Sequence, residues 1–109
     1  MTPCRGEIWW AALDPTIGSE IAKTRPCVVM TRDLINQHRR TVVVIPLSSS
    51  PKASSPILIA VDCVGRCAVA VVDQIRAVAK ERLQSRMGFL TQTEMDAIGE
   101  ALQQVLELI

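Results

Sequence analysis

Two unbroken apolar runs constrain the fold more than anything else in this chain: "PCVVMT" (26–31) and "TVVVIPL" (41–47). Neither alternates as a half-exposed strand does, and neither shows the 3.6-residue spacing of a helix. Valine and isoleucine are stiff about χ1 and pack well on a pleated backbone. Such runs therefore predict strands covered on both faces or set in the wall of a barrel. "GEIWWAAL", bounded by Gly6 and the turn pair Asp14-Pro15, predicts a first strand at about residues 7–13. "ILIAVD" (57–62) and "CAVAVVDQIRAVA" (67–79) continue the series, so the chain is expected to be β-rich through residue 79.

The connecting pieces differ in kind. "RDLINQHRR" fits a short helix, while "SSSPKASSP" (48–56) holds five Ser and two Pro in nine residues and predicts an exposed loop. At the far end, Thr91 and Glu94 stand in the T-x-x-E arrangement of a capping box. Behind them Met95, Ile98, Leu102, Val105, Leu106 and Ile109 recur at helical steps of three and four. Glu94 and Asp96 suit the positive end of the helix dipole and read as helix stabilisers. Several short strands and one terminal helix predict a mainly β architecture, a strongly curved sheet or small barrel capped by that helix. No internal repeat or second domain is visible, and 109 residues suit one domain.

With 49% apolar and 21% charged residues, the composition excludes a disordered chain. No apolar run approaches the ~18 residues that span a bilayer. The start, "MTPCRGEIWW", lacks the basic-then-apolar pattern of a secretory signal. A cytoplasmic protein with no membrane partner is expected. The net charge of +1 hides an asymmetry, because the last nineteen residues carry Glu94, Asp96, Glu100 and Glu107 and no Lys or Arg. Residues 1–90 are therefore +5, a basic body able to attract a polyanion. Of the four cysteines, Cys63 and Cys67 lie close, as "CVGRC", but a three-residue spacer without a nearby His does not match the usual zinc pairs. No metal and no cofactor is expected. Cys27, inside "CVVM", reads as a small buried hydrophobe. Cys63 and Cys67 are near enough for oxidation, which a cytosolic protein would keep reversed.

A Gly-rich phosphate loop, HExxH and GxSxG are all absent, which removes P-loop hydrolysis and standard metalloprotease chemistry. The charged stretch "GSEIAKTRP" (18–26) is the main chemical feature. It ends a twelve-residue connection, Asp14 to Arg25, where a hairpin needs two to five. Loops of that length in compact domains are often functional. Pro26 restricts Arg25 to extended conformations, and a guanidinium so held can make two parallel hydrogen bonds to a phosphate. Gly18 can supply the positive φ of a sharp turn, which would let Glu20 fold back toward Arg25. The same spacing also fits a plain surface ion pair. Ser48 follows "VIPL" where a buried strand ends, and its hydroxyl can donate to a phosphate. His38, the single histidine, stands at the end of the short helix and reads as solvated rather than catalytic. Trp9 and Trp10 point to opposite faces of the first strand, so one belongs to the core and the other to the surface, where an interface or a partly covered core is its expected use ahead of stacking on a base or a partner.

Taken in order, "RGEIWW" (5–10), "LDPTIGSE" (13–20), "KTRPCVVM" (23–30), "VIPLSSS" (44–50) and "VVDQIRAV" (71–78) strongly resemble the MazF/PemK (Kid-like) family of toxins from bacterial type II toxin–antitoxin systems. The resemblance runs from Arg5 to the terminal helix and implies a single toxin domain over 1–109. It implies a small SH3-like β-barrel with short helices and a C-terminal α-helix, usually a homodimer. It implies a metal-independent endoribonuclease, an mRNA interferase that cuts single-stranded RNA at a short motif. The products would be 2′,3′-cyclic phosphate and 5′-hydroxyl ends. A MazE-like antitoxin with an acidic, disordered segment would block the site, and operator DNA would be contacted only through the antitoxin complex. The family's essential arginine falls on Arg25, the acid of "GSE" on Glu20, and the hydroxyl residue after the strand, commonly threonine, on Ser48. Ser19, Lys23, Ser49 and Gln74 are expected to contact the RNA strand. Where many relatives carry an Asp-Ser pair, this chain has Cys67 and Ala68. The other function compatible with the family is a non-catalytic binding protein of the same fold, a gyrase-inhibitor type or an antitoxin and operator co-repressor. An SH3-like peptide module is disfavoured, since three aromatic residues do not line a peptide groove.

Overall fold

Strand formation follows the β-branched runs. The computed structural model describes residues 2–49 and 56–108. The strands are β1 (Glu7–Ala12), β2 (Thr24–Val29), β3 (Thr41–Ser48), β4 (Leu58–Cys63), β5 (Arg66–Val71), β6 (Arg76–Ala79) and β7 (Leu83–Phe89). A short helix α1 (Asp33–His38) joins β2 to β3, and α2 (Gln92–Leu106) follows β7. Among the described residues no helix is long and apolar enough to cross a membrane. The serine-rich stretch falls mostly on residues 50–55, outside the described residues.

All pairings are antiparallel, in the order β4-β5-β3-β2-β1-β7, with β6 on β3. β3 is the hub. Its first half, Thr41–Val44, pairs with β6, and its last two residues pair with β5. Because β3 changes partner partway along, the sheet bends there and curls into a half barrel. Val44–Pro46 of β3 pair with Cys27–Val29 of β2, which explains the unbroken apolar runs: both strands lie inside the sheet and are covered on both faces.

Two apolar clusters result. Ile8, Val28, Ile45 and Leu47 pack with Met95, Ile98 and Ala101 of α2 on one face. Trp9, Cys27, Val29, Val42 and Val44 form the second on the other, with Ile21 of the β1–β2 connection packed against it. The capping box of α2 is complete: the Glu94 amide donates to Thr91 Oγ1 at 3.2 Å, and the Thr91 amide donates to Glu94 Oε1 at 2.8 Å. Glu94 Oε2 also accepts from the Asp62 amide at 2.6 Å, fastening the helix to β4.

The mainly β architecture with a capping terminal helix is the one expected, with two differences. Residues 67–79 are not one strand, because a 3₁₀ turn at Val72–Gln74 separates β5 from β6. Strand β7 lies in a segment with no strand pattern: none of its residues is buried, and it forms by backbone pairing to β1.

Candidate functional site

Pairing of β2 with β3 brings together two residues far apart in sequence. The register Cys27↔Pro46, continued by two residues, sets Arg25 against Ser48 at the end of the sheet. Both line a cavity of about 510 Å³, together with Ser49, Trp10 and Arg66. Leu47, Cys63 and Met87 form its apolar floor, so the cavity continues the α2-facing side of the sheet beyond the reach of the helix. Its volume lies within the ~300–1,000 Å³ of small-ligand sites.

The connection over residues 13–23 is tied down along its length. Its base is closed by the Leu13 amide on Lys23 O at 2.8 Å and the Lys23 amide on Asp14 Oδ1 at 3.0 Å. Arg82 donates to Ala12 O at 3.1 Å and to Asp14 O. Gln74 Oε1 accepts from the Ile21 amide at 3.2 Å and from Arg76 Nη2 at 3.2 Å. Gln74 thus serves as a strut for the loop rather than presenting its amide to the cavity.

Of the residues singled out from the sequence, Arg25, Ser48 and Ser49 meet in the cavity. Glu20, Ser19, Lys23 and Gln74 do not line it. Gly18 has the expected positive φ of 63°, but the turn it makes captures Glu20 locally: Glu20 Oε1 accepts from the Ile17 amide at 2.7 Å. Among the described residues Glu20 makes no ion pair with Arg25. Lys23 is itself at φ 67°, with its side chain exposed.

Arg25 Nε donates to Ala22 O at 3.4 Å, which orients the guanidinium and leaves both Nη groups without a partner among the described residues. The Arg66 guanidinium has no hydrogen-bond partner among them, and no Asp or Glu lines the cavity. Two guanidiniums with unused donors and no carboxylate between them make an anion-binding surface. Arg66 escaped the sequence reading because it reaches the cavity only through the β4–β5 hairpin. The alternation in β1 did place the tryptophans: Trp9 is 4% exposed in the core and Trp10 is 37% exposed at the cavity wall.

Other titratable groups have structural settings. Cys27 is fully buried, and burial pushes its thiol up to about 12, against the opposing effect of Arg76. Cys63 is also raised, by burial and then by Asp62. The register Cys63↔Arg66 and Asp62↔Cys67 puts Cys63 and Cys67 on opposite faces of the hairpin, an arrangement that does not suit a disulfide, and both are free thiols. His38 is exposed in the last turn of α1, away from the cavity. Among the described residues no three His, Cys, Asp or Glu side chains gather as a metal site would need.

Comparison with known proteins gives this arrangement a context. The family model for the PemK-like, MazF-like toxin of type II toxin–antitoxin systems matches residues 4–106. Endoribonuclease EndoA of Bacillus subtilis (strain 168) is 34% identical over 110 residues, covering 96% of this chain and 95% of that protein. Endoribonuclease MazF9 of Mycobacterium tuberculosis is 35% identical over 118 residues, covering 95% and 96%. In fold, the chain superposes on a crystal structure of MazF from Deinococcus radiodurans with a TM-score of 0.89 at 18% identity, covering 98% of each chain. A mycobacterial endoribonuclease solved in complex with its cognate antitoxin gives a TM-score of 0.82 at 23% identity, covering 98% of this chain and 97% of that one. By the match along nearly its whole length and by these relatives, the chain belongs to the PemK-like, MazF-like family of toxins of type II toxin–antitoxin systems.

Proposed function

We propose that this chain is a metal-independent, sequence-specific endoribonuclease that cuts single-stranded RNA and leaves 2′,3′-cyclic phosphate and 5′-hydroxyl ends. The supporting observation is the cavity in which Arg25 and Ser48 meet, with unused guanidinium donors and no carboxylate. The relatives named endoribonucleases support the same reading. In this proposal the protein acts in the cytoplasm as a homodimer, is silenced by a MazE-like antitoxin, and reaches operator DNA only through that complex.

Cleavage requires the 2′-hydroxyl to lose its proton, the 2′-oxygen to bond to phosphorus, and the bond to the 5′-oxygen to break as that oxygen takes up a proton. Arg25 clamps the phosphate and stabilises the charge that builds on it, since a guanidinium with a pKa above ~12 is a poor base. Ser48 holds a nonbridging oxygen. Glu20 is the general base by chemistry, but it must first release the Ile17 amide that holds its carboxylate in the turn. The attacking oxygen must come into line with the leaving oxygen, which a regular A-form stack resists, so the substrate is single-stranded.

The test is cleavage of a long single-stranded RNA in excess chelator, with end-group analysis, by wild type, Arg25→Ala and Glu20→Gln. Arg25→Ala should lose ~10²- to 10³-fold in rate, as expected when one preorganised donor is removed. Glutamine keeps the acceptor that the Ile17 amide needs and removes only the base, so Glu20→Gln should lose ~10²- to 10⁴-fold. A Glu20→Gln protein at the wild-type rate would assign Glu20 to the turn alone. A folded, antitoxin-free wild type that cuts no RNA would sink the proposal in favour of the binding function, with gyrase inhibition as the next assay.

A further inference from the structure

We infer that Trp10 and Arg66 form a nucleotide subsite beside Arg25, in which the Trp10 indole stacks on an unpaired base and Arg66 pairs with a neighbouring phosphate. The inference rests on the endoribonuclease reading and names the part of the substrate that this wall of the cavity holds.

Trp10 shares a face of β1 with Ile8, which lies beneath α2, but Trp10 stands beyond the end of the helix's cover. Its neighbours across the strands are Pro26 and Ser85, both small, so the indole is flanked rather than buried. Trp9 spends its indole N–H on Glu7 Oε1 at 3.1 Å, whereas the Trp10 N–H has no partner among the described residues. A tryptophan left 37% exposed beside unused guanidinium donors is a poor use of surface for packing alone. It matches the pairing of aromatic platform and cationic groove with which proteins hold single strands.

Arg66 completes the geometry. It opens β5, directly across from Cys63, at the foot of the two-residue turn Val64–Gly65. The hairpin therefore carries Arg66 to the cavity from the β4–β5 end of the strand order, while Arg25 arrives on β2 from the middle of it. Two guanidiniums on separate elements, with hydroxyls and an aromatic plane in the same cavity, suit successive phosphates and the base they flank. A peptide carboxylate could use one arginine but would leave the indole unmatched. A paired base could not reach the indole face, so the ligand is a single strand.

The probe is a short, mixed-sequence single-stranded oligonucleotide with 2′-O-methyl riboses, which has no 2′-hydroxyl to attack, alongside the same backbone without bases. Binding of each is followed by anisotropy over a salt series. Trp10→Leu should weaken binding of the base-bearing probe about 10- to 100-fold and leave the abasic probe unchanged. Arg66→Gln should weaken both probes equally and lower the salt slope by about one. Equal loss on both probes for Trp10→Leu, no loss on either, or an unchanged salt slope for Arg66→Gln would overturn the subsite. Should Trp10→Leu fail to fold, Trp9→Phe leaves Trp10 as the sole indole. Its fluorescence must then be quenched by the base-bearing probe and not by the abasic one, and any other pattern overturns the assignment. A wild type that cuts RNA while both variants bind like wild type defeats the subsite alone. A wild type that neither cuts RNA nor binds either probe defeats the endoribonuclease reading as well.

Discussion

Cys27 and Cys67 carry the same thiol in opposite settings. Cys27 lies inside β2 with no exposed surface and a pKa of about 12, while Cys67 is exposed at the cavity. Alkylation proceeds through the thiolate, so at pH 8 Cys27 holds very little of the reactive form and offers no access to it. Iodoacetamide at that pH should modify Cys67 first and Cys4 more slowly, because burial and then Glu7 and Asp33 raise the Cys4 thiol. Peptide mass mapping should find Cys27 unmodified until denaturant is added, and early modification of Cys27 would mean that β2 opens in the native protein. The setting of Cys27 was legible from the unbroken apolar run it opens with Val28 and Val29, and the split between Trp9 and Trp10 from strand alternation. The fate of Glu20 was not. A backbone amide three residues away competes at short range with a guanidinium five residues away, and in the loop the amide wins.

At the scale of elements, legibility tracks how local the forces are. Helix α2 announces itself because its cap, dipole complement and apolar stripe all lie within its own residues. Strand β7 has no such signature, since every residue stays partly exposed, its apolar Leu83 and Met87 pack against different clusters, and its pairing to β1 is recorded by no pattern within Leu83–Phe89. The break between β5 and β6 is hidden for a related reason: the apolar run continues through the 3₁₀ turn, where Val72 remains buried. The local cap of α2 also makes its stability pH-dependent. Burial works to raise the Glu94 carboxyl, but the Thr91 and Asp62 amides and the Thr91 hydroxyl outweigh it and hold it below its ordinary value. Glu7 behaves alike, with burial outweighed by the Cys4 amide, the Trp9 indole and Arg86. A carboxyl lowered by folding adds stability that is fully present above the unfolded value of ~4.3 and is lost as pH falls through the folded one. Denaturation midpoints should therefore be flat from neutral pH to about pH 5 and fall steeply below about pH 4. Glu94→Gln should lower the neutral midpoint and make the acid fall shallower. An acid limb identical to that of wild type would show that Glu94 does not carry the effect.

The two ends of the strand order approach each other at the β4–β5 turn. In the strand order β4 and β7 are the outermost strands, yet the curl brings the β4–β5 turn over β7, where a Cβ placed on Gly88 would lie 3.2 Å from Val64 Cγ2. Val64 sits at φ 52° and Gly65 at φ 84°, the positive pair of a two-residue hairpin turn that favours Asn-Gly. A β-branched residue there is strained by roughly 1–2 kcal/mol. Val64 is also 58% exposed and lines the cavity beside Arg66, so its apolar side chain does not serve the core. Strain of this kind gathers at functional sites. The turn stands between Arg66 and the Gly88 contact on β7, so relieving it is expected to shift Arg66 and change the cavity. Val64→Asn should relieve the turn and raise stability by about 1 kcal/mol, or a melting temperature about 4 °C higher. The same change removes the methyl group seated over Gly88, so binding of single-stranded RNA should weaken several-fold while the protein becomes harder to unfold. Thermal melts and RNA titrations on one preparation decide the matter: a stabilised variant that binds as tightly as wild type would reduce the Val64 contact to an accident of packing.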